Sequence, residues 1–254
     1  RAKKIHLILV RKIVSLILKI SLSHKNLFVI FQNNFDMAKI IAIANLSSRK
    51  SVLIHGSGID LNVYKPDNEI IKKKTKVLFA SRLLKSKGIY DFLDAAGFVK
   101  RAEFYVAGMI DKSSKDCVDE EVFYRKISKN NVNYLGNCSN MLPILQDASI
   151  VVLPSYYGEG LPKILIEAAA CGIPIVTTNQ PGCAEAVIEN LTGLIVPIKE
   201  PKLLANKIQF LIDNPKKRIK MGQEARKFSL KRFDIKFVVN KHIQIYKDLL
   251  TKVI

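Results

Sequence analysis

An uninterrupted apolar run, Ile150-Val151-Val152-Leu153, leads into Pro154-Ser155-Tyr156-Tyr157-Gly158-Glu159-Gly160-Leu161-Pro162 and then into Lys163-Ile164-Leu165-Ile166-Glu167-Ala168-Ala169-Ala170-Cys171-Gly172. Four consecutive apolar residues without polar alternation describe a strand buried on both faces, the pattern of a parallel sheet. The glycine-containing turn ends at Pro162, which reads as the first residue of a helix. Strand, loop and helix start, in that order, leave free backbone N–H groups at the positive end of a helix dipole. That is an anion site.

Two carboxylates stand out in this stretch. Glu159 lies in the loop just before the helix, and Glu167 is the sole charge between Lys163 and the helix end. One reading has Glu167 facing water. In a helix apolar nearly all round, however, a buried carboxylate needs a specific polar partner, because burying it unpaired is costly. A sugar diol is one such partner, since a carboxylate accepts two hydroxyl hydrogen bonds.

From residue 76 strand and helix patterns alternate. Strands are expected at 76–81, 103–107, 133–135, 150–153, 173–177 and 194–196, with helices at 89–100, 118–128, 201–214 and 216–229. Such alternation makes an α/β domain whose parallel sheet is covered on both faces. Ahead of it, a strand at 26–33, a helix at 37–46 and a strand at 51–54 precede His55-Gly56-Ser57-Gly58-Ile59-Asp60, where two glycines permit positive φ. The charged stretch 66–76, with Lys72-Lys73-Lys74, reads as an interdomain linker. Residues 233–254 read as a last amphipathic helix.

In open α/β sheets ligands collect beyond the carboxyl ends of the strands. A second cluster, Ser81-Arg82-Leu83-Leu84-Lys85-Ser86-Lys87-Gly88, follows the expected strand at 76–81 and so occupies such an end. Arg82 offers a bidentate fork and Lys87 a point charge, a pair suited to clamping a diphosphate. Lys85 reads as an ordinary solvated loop lysine, and Lys163 as either a solvated lysine or an added positive charge.

The N-terminal segment 5–22 is strongly apolar but carries Arg11, Lys12 and Lys19, which argues against a membrane-spanning helix. At helical spacing Lys4, Arg11, Lys12, Ser15 and Lys19 share one side; Leu7, Leu9, Ile13, Leu16, Ile17 and Ile20 fall mostly on the other. Two readings stay open: a domain helix with its apolar face inward, or an interfacial helix lying on anionic lipid.

The 254 residues suffice for one large or two modest domains, and the net charge of +19 implies an anionic partner: nucleic acid, a phosphorylated ligand or a membrane surface. Nucleic acid rests on charge alone, for there is no basic motif interleaved with aromatics. Cys117, Cys138, Cys171 and Cys183 have no C-x-x-C spacing, which fits reduced thiols of a cytosolic chain. His6, His24, His55 and His242 are equally scattered, so no metal cluster is expected.

Glu159 and Glu167, eight apart and enclosing Gly160-Leu161-Pro162, resemble the E-x7-E signature of the family-4 retaining glycosyltransferases of GT-B fold. The following Ala168 to Thr178 and Pro181-Gly182-Cys183-Ala184-Glu185 match too, and resemble a narrower branch that adds sugars to undecaprenyl-diphosphate-linked glycans. Phe31-Gln32-Asn33 with Asp36 resembles the same branch, with Asn34 where proline or aspartate is more usual. Arg82 and Lys87 match the family motif position for position.

The resemblance implies a complete C-terminal Rossmann-like domain with a parallel sheet, plus a partial N-terminal Rossmann-like domain. Residues 1–66 would be the remnant of the acceptor-side domain, 67–75 the linker and 76–232 the nucleotide-sugar-binding domain. Residues 233–254 would form a helix returning toward the N-terminal domain. It further implies catalytic roles for Glu159, Arg82 and Lys87. Glu159 would meet the transferred sugar, Glu167 the ribose, and the backbone of Gly160 and Leu161 the sugar phosphates, with the nucleobase near Gly136. The implied donor is a UDP-sugar, with an N-acetylhexosamine expected, and no cofactor or metal is required. The implied acceptor is a lipid-linked glycan at the inner face of the cytoplasmic membrane, with anionic lipid and not nucleic acid as the surface partner. Because the match leaves most of an N-terminal domain unaccounted for, the alternative expectation is a truncated, inactive nucleotide-sugar-binding chain.

Overall fold

The computed structural model describes residues 2–67 and 74–251, with side chains from residue 8 onward. Residues 68–73 of the expected linker, Lys72 and Lys73 included, lie outside the described residues, as do the side chains of Lys4, His6 and Leu7.

The chain opens with helix α1 (Ala2–Ser21), strand β1 (Val29–Phe31), helix α2 (Asn34–Ala44) and strand β2 (Ser51–Leu53). β1 and β2 pair in parallel as a two-stranded sheet. Helix α2 starts earlier than its apolar pattern suggests, because Asn33 caps it: the Asn33 side chain accepts a hydrogen bond from the Asp36 amide at 2.7 Å.

The contact made by α1 differs from the domain-helix expectation. It meets α2 through Ser15, whose hydroxyl donates to the Ile43 carbonyl at 3.3 Å, and through Leu18. Leu9, Ile13, Leu16, Ile17 and Ile20 are left exposed. A sheet two strands wide covers only one stripe of a helix, and here that stripe is not the most apolar one. No helix among the described residues is long and apolar enough to cross a membrane.

The larger sheet is built from β3 (Lys76–Ala80), β4 (Glu103–Ala107), β5 (Val132–Tyr134), β6 (Ile150–Leu153), β7 (Ile175–Thr178) and β8 (Gly193–Val196). Every pairing is parallel, in the order β5-β4-β3-β6-β7-β8. Helices α3 (Ile89–Ala96), α4 (Glu120–Lys129), α5 (Leu142–Asp147), α6 (Lys163–Ala170), α7 (Pro181–Ala184), α8 (Pro201–Asp213) and α9 (Pro215–Arg232) connect and cover it. β3 and β6 are buried almost end to end, as their unbroken apolar runs require. The α/β fold with parallel sheets expected from the sequence is therefore the one found. Helices α5 and α7 are additions to it, each too short to show a hydrophobic period.

Helix α10 (Ile235–Thr251) buries Val238 and Ile245 with Ile54 of the smaller sheet, against Phe28, Ile30 and Val52. A second tie between the sheets is polar. His55, Glu185 and Arg232 meet, with Arg232 Nη2 2.7 Å from His55 Nε2 and His55 Nδ1 3.3 Å from Glu185. Burial first, and then the Arg232 charge, hold the His55 pKa below its ordinary value. A neutral ring that accepts from Arg232 at Nε2 and donates from Nδ1 to Glu185 satisfies both contacts.

The strand order places the functional region. β3, β4 and β5 progress toward one edge, and β6, β7 and β8 toward the other. The reversal falls between β3 and β6, the switch point beyond which open α/β sheets have their ligand crevice. The loops that follow β3 and β6 are locked to each other. Gly88 ends the β3 loop with φ of 77°, and a Cβ there would lie 2.0 Å from the Pro154 carbonyl oxygen. The Tyr156 amide donates to the Ser86 carbonyl at 2.9 Å. Gly88→Ala is expected to lower unfolding free energy by at least about 2 kcal/mol, from left-handed strain and the backbone clash together. Urea denaturation of the variant beside the parent chain measures it.

Candidate functional site

The loop after β6 is held by polar side chains placed around it. Thr177 donates to the Leu153 carbonyl at 2.7 Å, Thr178 to the Ser155 carbonyl at 2.5 Å, and Gln180 to the Tyr156 carbonyl at 2.6 Å. On this scaffold Glu159 reaches the β3 loop. Its Oε2 lies 2.5 Å from Lys87 Nζ, its Oε1 accepts from the Ser155 hydroxyl at 2.8 Å, and the two charged side chains are each 12% exposed. Lys87 is fixed in turn by a 3₁₀ turn, Lys85–Lys87, whose Ser86 donates from both amide and hydroxyl to Asp116. The ammonium also sits 5.4 Å from the Tyr157 ring centre. The two loops that sequence singled out thus meet through a nearly buried, hydrogen-bonded ion pair at the strand-order reversal.

Arg82 stands at the end of β3 but does not join that pair. Its guanidinium, 59% exposed, donates to Asp111 at 3.0 Å. The Ser113 hydroxyl, and after it Arg82, draw the Asp111 pKa down. Gly136 closes β5 with φ of 70°, and its carbonyl accepts from the Gly108 amide at 2.7 Å. Since β4 stands between β5 and β3, Gly136 is not brought to the loops after β3 and β6; it meets the loop after β4 instead.

Pro162 is extended, with ψ of 123°, and precedes the helix; α6 itself begins at Lys163. The sequence reading placed the proline one position too late. Leu161 is buried against Gly56. Among the described residues, the amides of Gly160 and Leu161 have no acceptor within the chain.

Glu167 lies one turn into α6 and is 6% exposed. It does have polar partners: Lys163 Nζ at 3.7 Å and the Tyr64 hydroxyl, which hydrogen-bonds to it. The fold itself thereby supplies part of what the sequence reading assigned to a sugar diol. Tyr64 is positioned by Arg226, whose guanidinium binds the carbonyls of Tyr64 and Ala170 at 2.8 Å and of Leu61 at 3.0 Å. Burial raises the Glu167 pKa, and Lys163 and Tyr64 offset only part of the rise. Tyr64, Arg226, Ser155 and Asp116 were invisible to sequence reasoning, because nothing in their spacing connects them to the two glutamates. Among the described residues no group of three His, Cys, Asp or Glu side chains is arranged to hold a metal ion.

A carboxyl whose pKa is higher folded than unfolded favours the fold fully below the unfolded value, and that contribution is lost as pH rises through the folded value. Glu167→Gln removes the dependence. The melting temperature of Glu167→Gln relative to the parent chain should therefore rise between pH 4 and pH 7. A gap that is flat or shrinks with pH would contradict the burial argument.

Comparison with known proteins bears on what this site is. Residues 62–228 match the family described as glycosyl transferases group 1. The chain is 30% identical to the N,N'-diacetylbacillosaminyl-diphospho-undecaprenol alpha-1,3-N-acetylgalactosaminyltransferase of Campylobacter jejuni, over 96% of its own length and 66% of that protein's. It is 24% identical to a capsular polysaccharide biosynthesis glycosyltransferase of Staphylococcus aureus, over 83% of its length and 59% of that protein's. The chain thus spans about two thirds or less of these relatives. Among solved structures, the sucrose-phosphate synthase of Thermosynechococcus elongatus superposes with a TM-score of 0.83 at 23% identity, covering 94% of this chain and 62% of that one. Anabaena HepE in complex with UDP superposes with a TM-score of 0.79 at 21% identity, covering 87% and 64%. The architecture is shared with these GT-B structures, and by sequence the chain belongs to the group 1 glycosyltransferases.

Proposed function

We propose that this chain carries the donor-binding part of a retaining glycosyltransferase that moves a sugar, an N-acetylhexosamine, from UDP to a lipid-linked acceptor in bacterial glycan assembly. The observation that carries the reading is the Lys87–Glu159 contact, which brings a cation and a carboxylate from sequence-distant loops to the crevice between β3 and β6. The printed activity of the Campylobacter relative, which acts on an undecaprenol-linked acceptor, supports the choice of acceptor. HepE, solved with UDP, supports the donor nucleotide.

The chemistry asks most of the leaving group. As the bond from the anomeric carbon to the diphosphate lengthens, negative charge grows on the phosphate oxygens and positive charge on the sugar ring. Lys87, Arg82 and the N–H groups at the start of α6 answer the first charge. The Glu159 carboxylate, facing the sugar, answers the second. With these protein groups carrying the charge, the proposal requires no metal. The acceptor hydroxyl then adds on the face the diphosphate leaves, which preserves the anomeric configuration, and passes its proton to the departing diphosphate oxygen. Glu167, one turn into α6, is assigned to the ribose hydroxyls, where its raised pKa marks an electrostatic cost retained for binding.

The deciding experiment supplies the chain with labelled UDP-N-acetylhexosamine and an undecaprenyl-diphosphate-linked acceptor. Transfer with retained anomer is expected. Lys87→Ala and Arg82→Ala should each lose about 10²–10³ in kcat, or roughly 2.7–4 kcal/mol of transition-state stabilisation. UDP binding without any transfer would instead support a second reading, a nucleotide-sugar-binding chain without turnover.

The acceptor reading includes a membrane. The exposed Leu9, Ile13, Leu16, Ile17 and Ile20 of α1, flanked by Lys12 and Lys19, would lie on anionic lipid at the cytoplasmic face. Flotation with phosphatidylglycerol vesicles should carry the chain upward. The double variant Ile13→Glu, Ile17→Glu should remain at the bottom of the gradient; equal flotation of both chains would remove this face of α1 from the proposal, and a parent chain that stays at the bottom would remove the membrane.

A further inference from the structure

Asn33 caps α2 just beyond β1 of the smaller sheet, yet its side chain acts on the loop of the larger one. It is completely buried, and its amide nitrogen lies 3.2 Å from the Glu159 carbonyl oxygen, 3.0 Å from that of Gly160 and 2.8 Å from Asp36 Oδ2. Packing around those two carbonyls is close on every side. A Cβ on Gly160 would stand 2.2 Å from Gln32 Oε1, and a Cβ on Gly182 would stand 2.3 Å from the Glu159 oxygen and 2.4 Å from the Gly160 oxygen. The segment has no freedom to turn over.

All peptide bonds described are trans. In a planar trans peptide the C=O of one residue and the N–H of the next point in opposite directions. Fixing the carbonyls of Glu159 and Gly160 on Asn33 therefore fixes the N–H groups of Gly160 and Leu161 on the opposite side of the loop. Neither of those two amides has an acceptor within the chain among the described residues. Two such N–H groups held side by side, next to a helix start, suit phosphate oxygens.

We propose that Asn33 is a positioning residue: by holding both carbonyls it aims the Gly160 and Leu161 amides at the donor phosphates. This rests on the glycosyltransferase reading for the identity of the phosphates, but not for the binding of a phosphate group as such. The substrate-facing loop is then set by the first part of the chain, so that separating the two sheets would release the amides.

Asn33→Asp is the informative variant. Aspartate caps α2 as well as asparagine does, but it presents a carboxylate where two carbonyls need a donor. Asn34→Ala is the control, since it removes the exposed contact of Asn34 with Glu185, at 2.7 Å through its amide and 3.2 Å through its side chain, only in its side-chain half. The 15N-labelled chain is titrated first with pyrophosphate, observing the Gly160 and Leu161 amide signals, and then with UDP and with uridine by calorimetry and ligand-observed NMR.

In the parent chain both amide signals should move with pyrophosphate, and in Asn34→Ala they should move alike. In Asn33→Asp the pyrophosphate and UDP dissociation constants should rise at least about tenfold, the scale of losing a charge-assisted contact, with uridine binding unchanged. Static amides in the parent chain, unaltered pyrophosphate binding in Asn33→Asp, or equal weakening of UDP and uridine each overturns the proposal. Pyrophosphate binding at these amides without any affinity for UDP would leave Asn33 its role and refute the donor reading instead.

Discussion

The ion pair between Lys87 and Glu159 is the contact on which the site depends, and it makes strict demands on the fold. Two charges drawn largely out of water are stable together only when their geometry is good and their remaining hydrogen-bonding capacity is met. Here Ser155 takes the second carboxylate oxygen. Asp116 anchors the turn that presents the lysine. β3 and β6 must be neighbours for the loops to touch at all, and the parallel sheet with its reversed strand order makes them so. Gly88, pressed on Pro154, sets the distance between them.

A second layer of contacts joins this crevice to the remainder of the chain. Arg226 of α9 gathers three carbonyls from α6 and from the segment before β3. In doing so it seats Tyr64 beside Glu167. Asn33 and the His55–Glu185–Arg232 group bind the two sheets across their facing ends. These ties are polar and partly buried, unlike the apolar packing inside each sheet. They specify one relative placement more sharply than apolar contact would, because each donor must find its acceptor. The buried Glu167 belongs to the same pattern: its raised pKa is a cost in stability at neutral pH, of the kind that active sites retain.

Much of the larger sheet was legible. The limits of β4 and β6 agree with the expected ones to the residue, and for β6 the reason is plain: a strand buried at every position must be apolar along its whole length. Helix limits were less legible, because caps decide them. Asn33 starts α2 at Asn34, before the first position that hydrophobic spacing would suggest, and Pro162 stands outside α6. Helices of four and six residues, α7 and α5, carry too few side chains for a period to show. Of the site residues, Lys87 and Glu159 come together as their loops suggested. Arg82 turns to Asp111 and Glu167 to Tyr64, partners that no local pattern announces, whereas the Lys163 contact of Glu167 is an ordinary i,i+4 helix pair.

The sequence by itself determined the alternation of strands and helices, the two strand-end loops and the residue types they carry, because burial period and loop chemistry are local properties of the chain. Tertiary structure alone decided which side chains touch. Residues 33, 64 and 226 reach the loop and helix at 159–170 across separations that no spacing encodes. Contacts of that kind form only when packed sheets and helices bring distant backbone carbonyls and hydroxyls within hydrogen-bonding range, and the direction of the Gly160 and Leu161 amides follows from them.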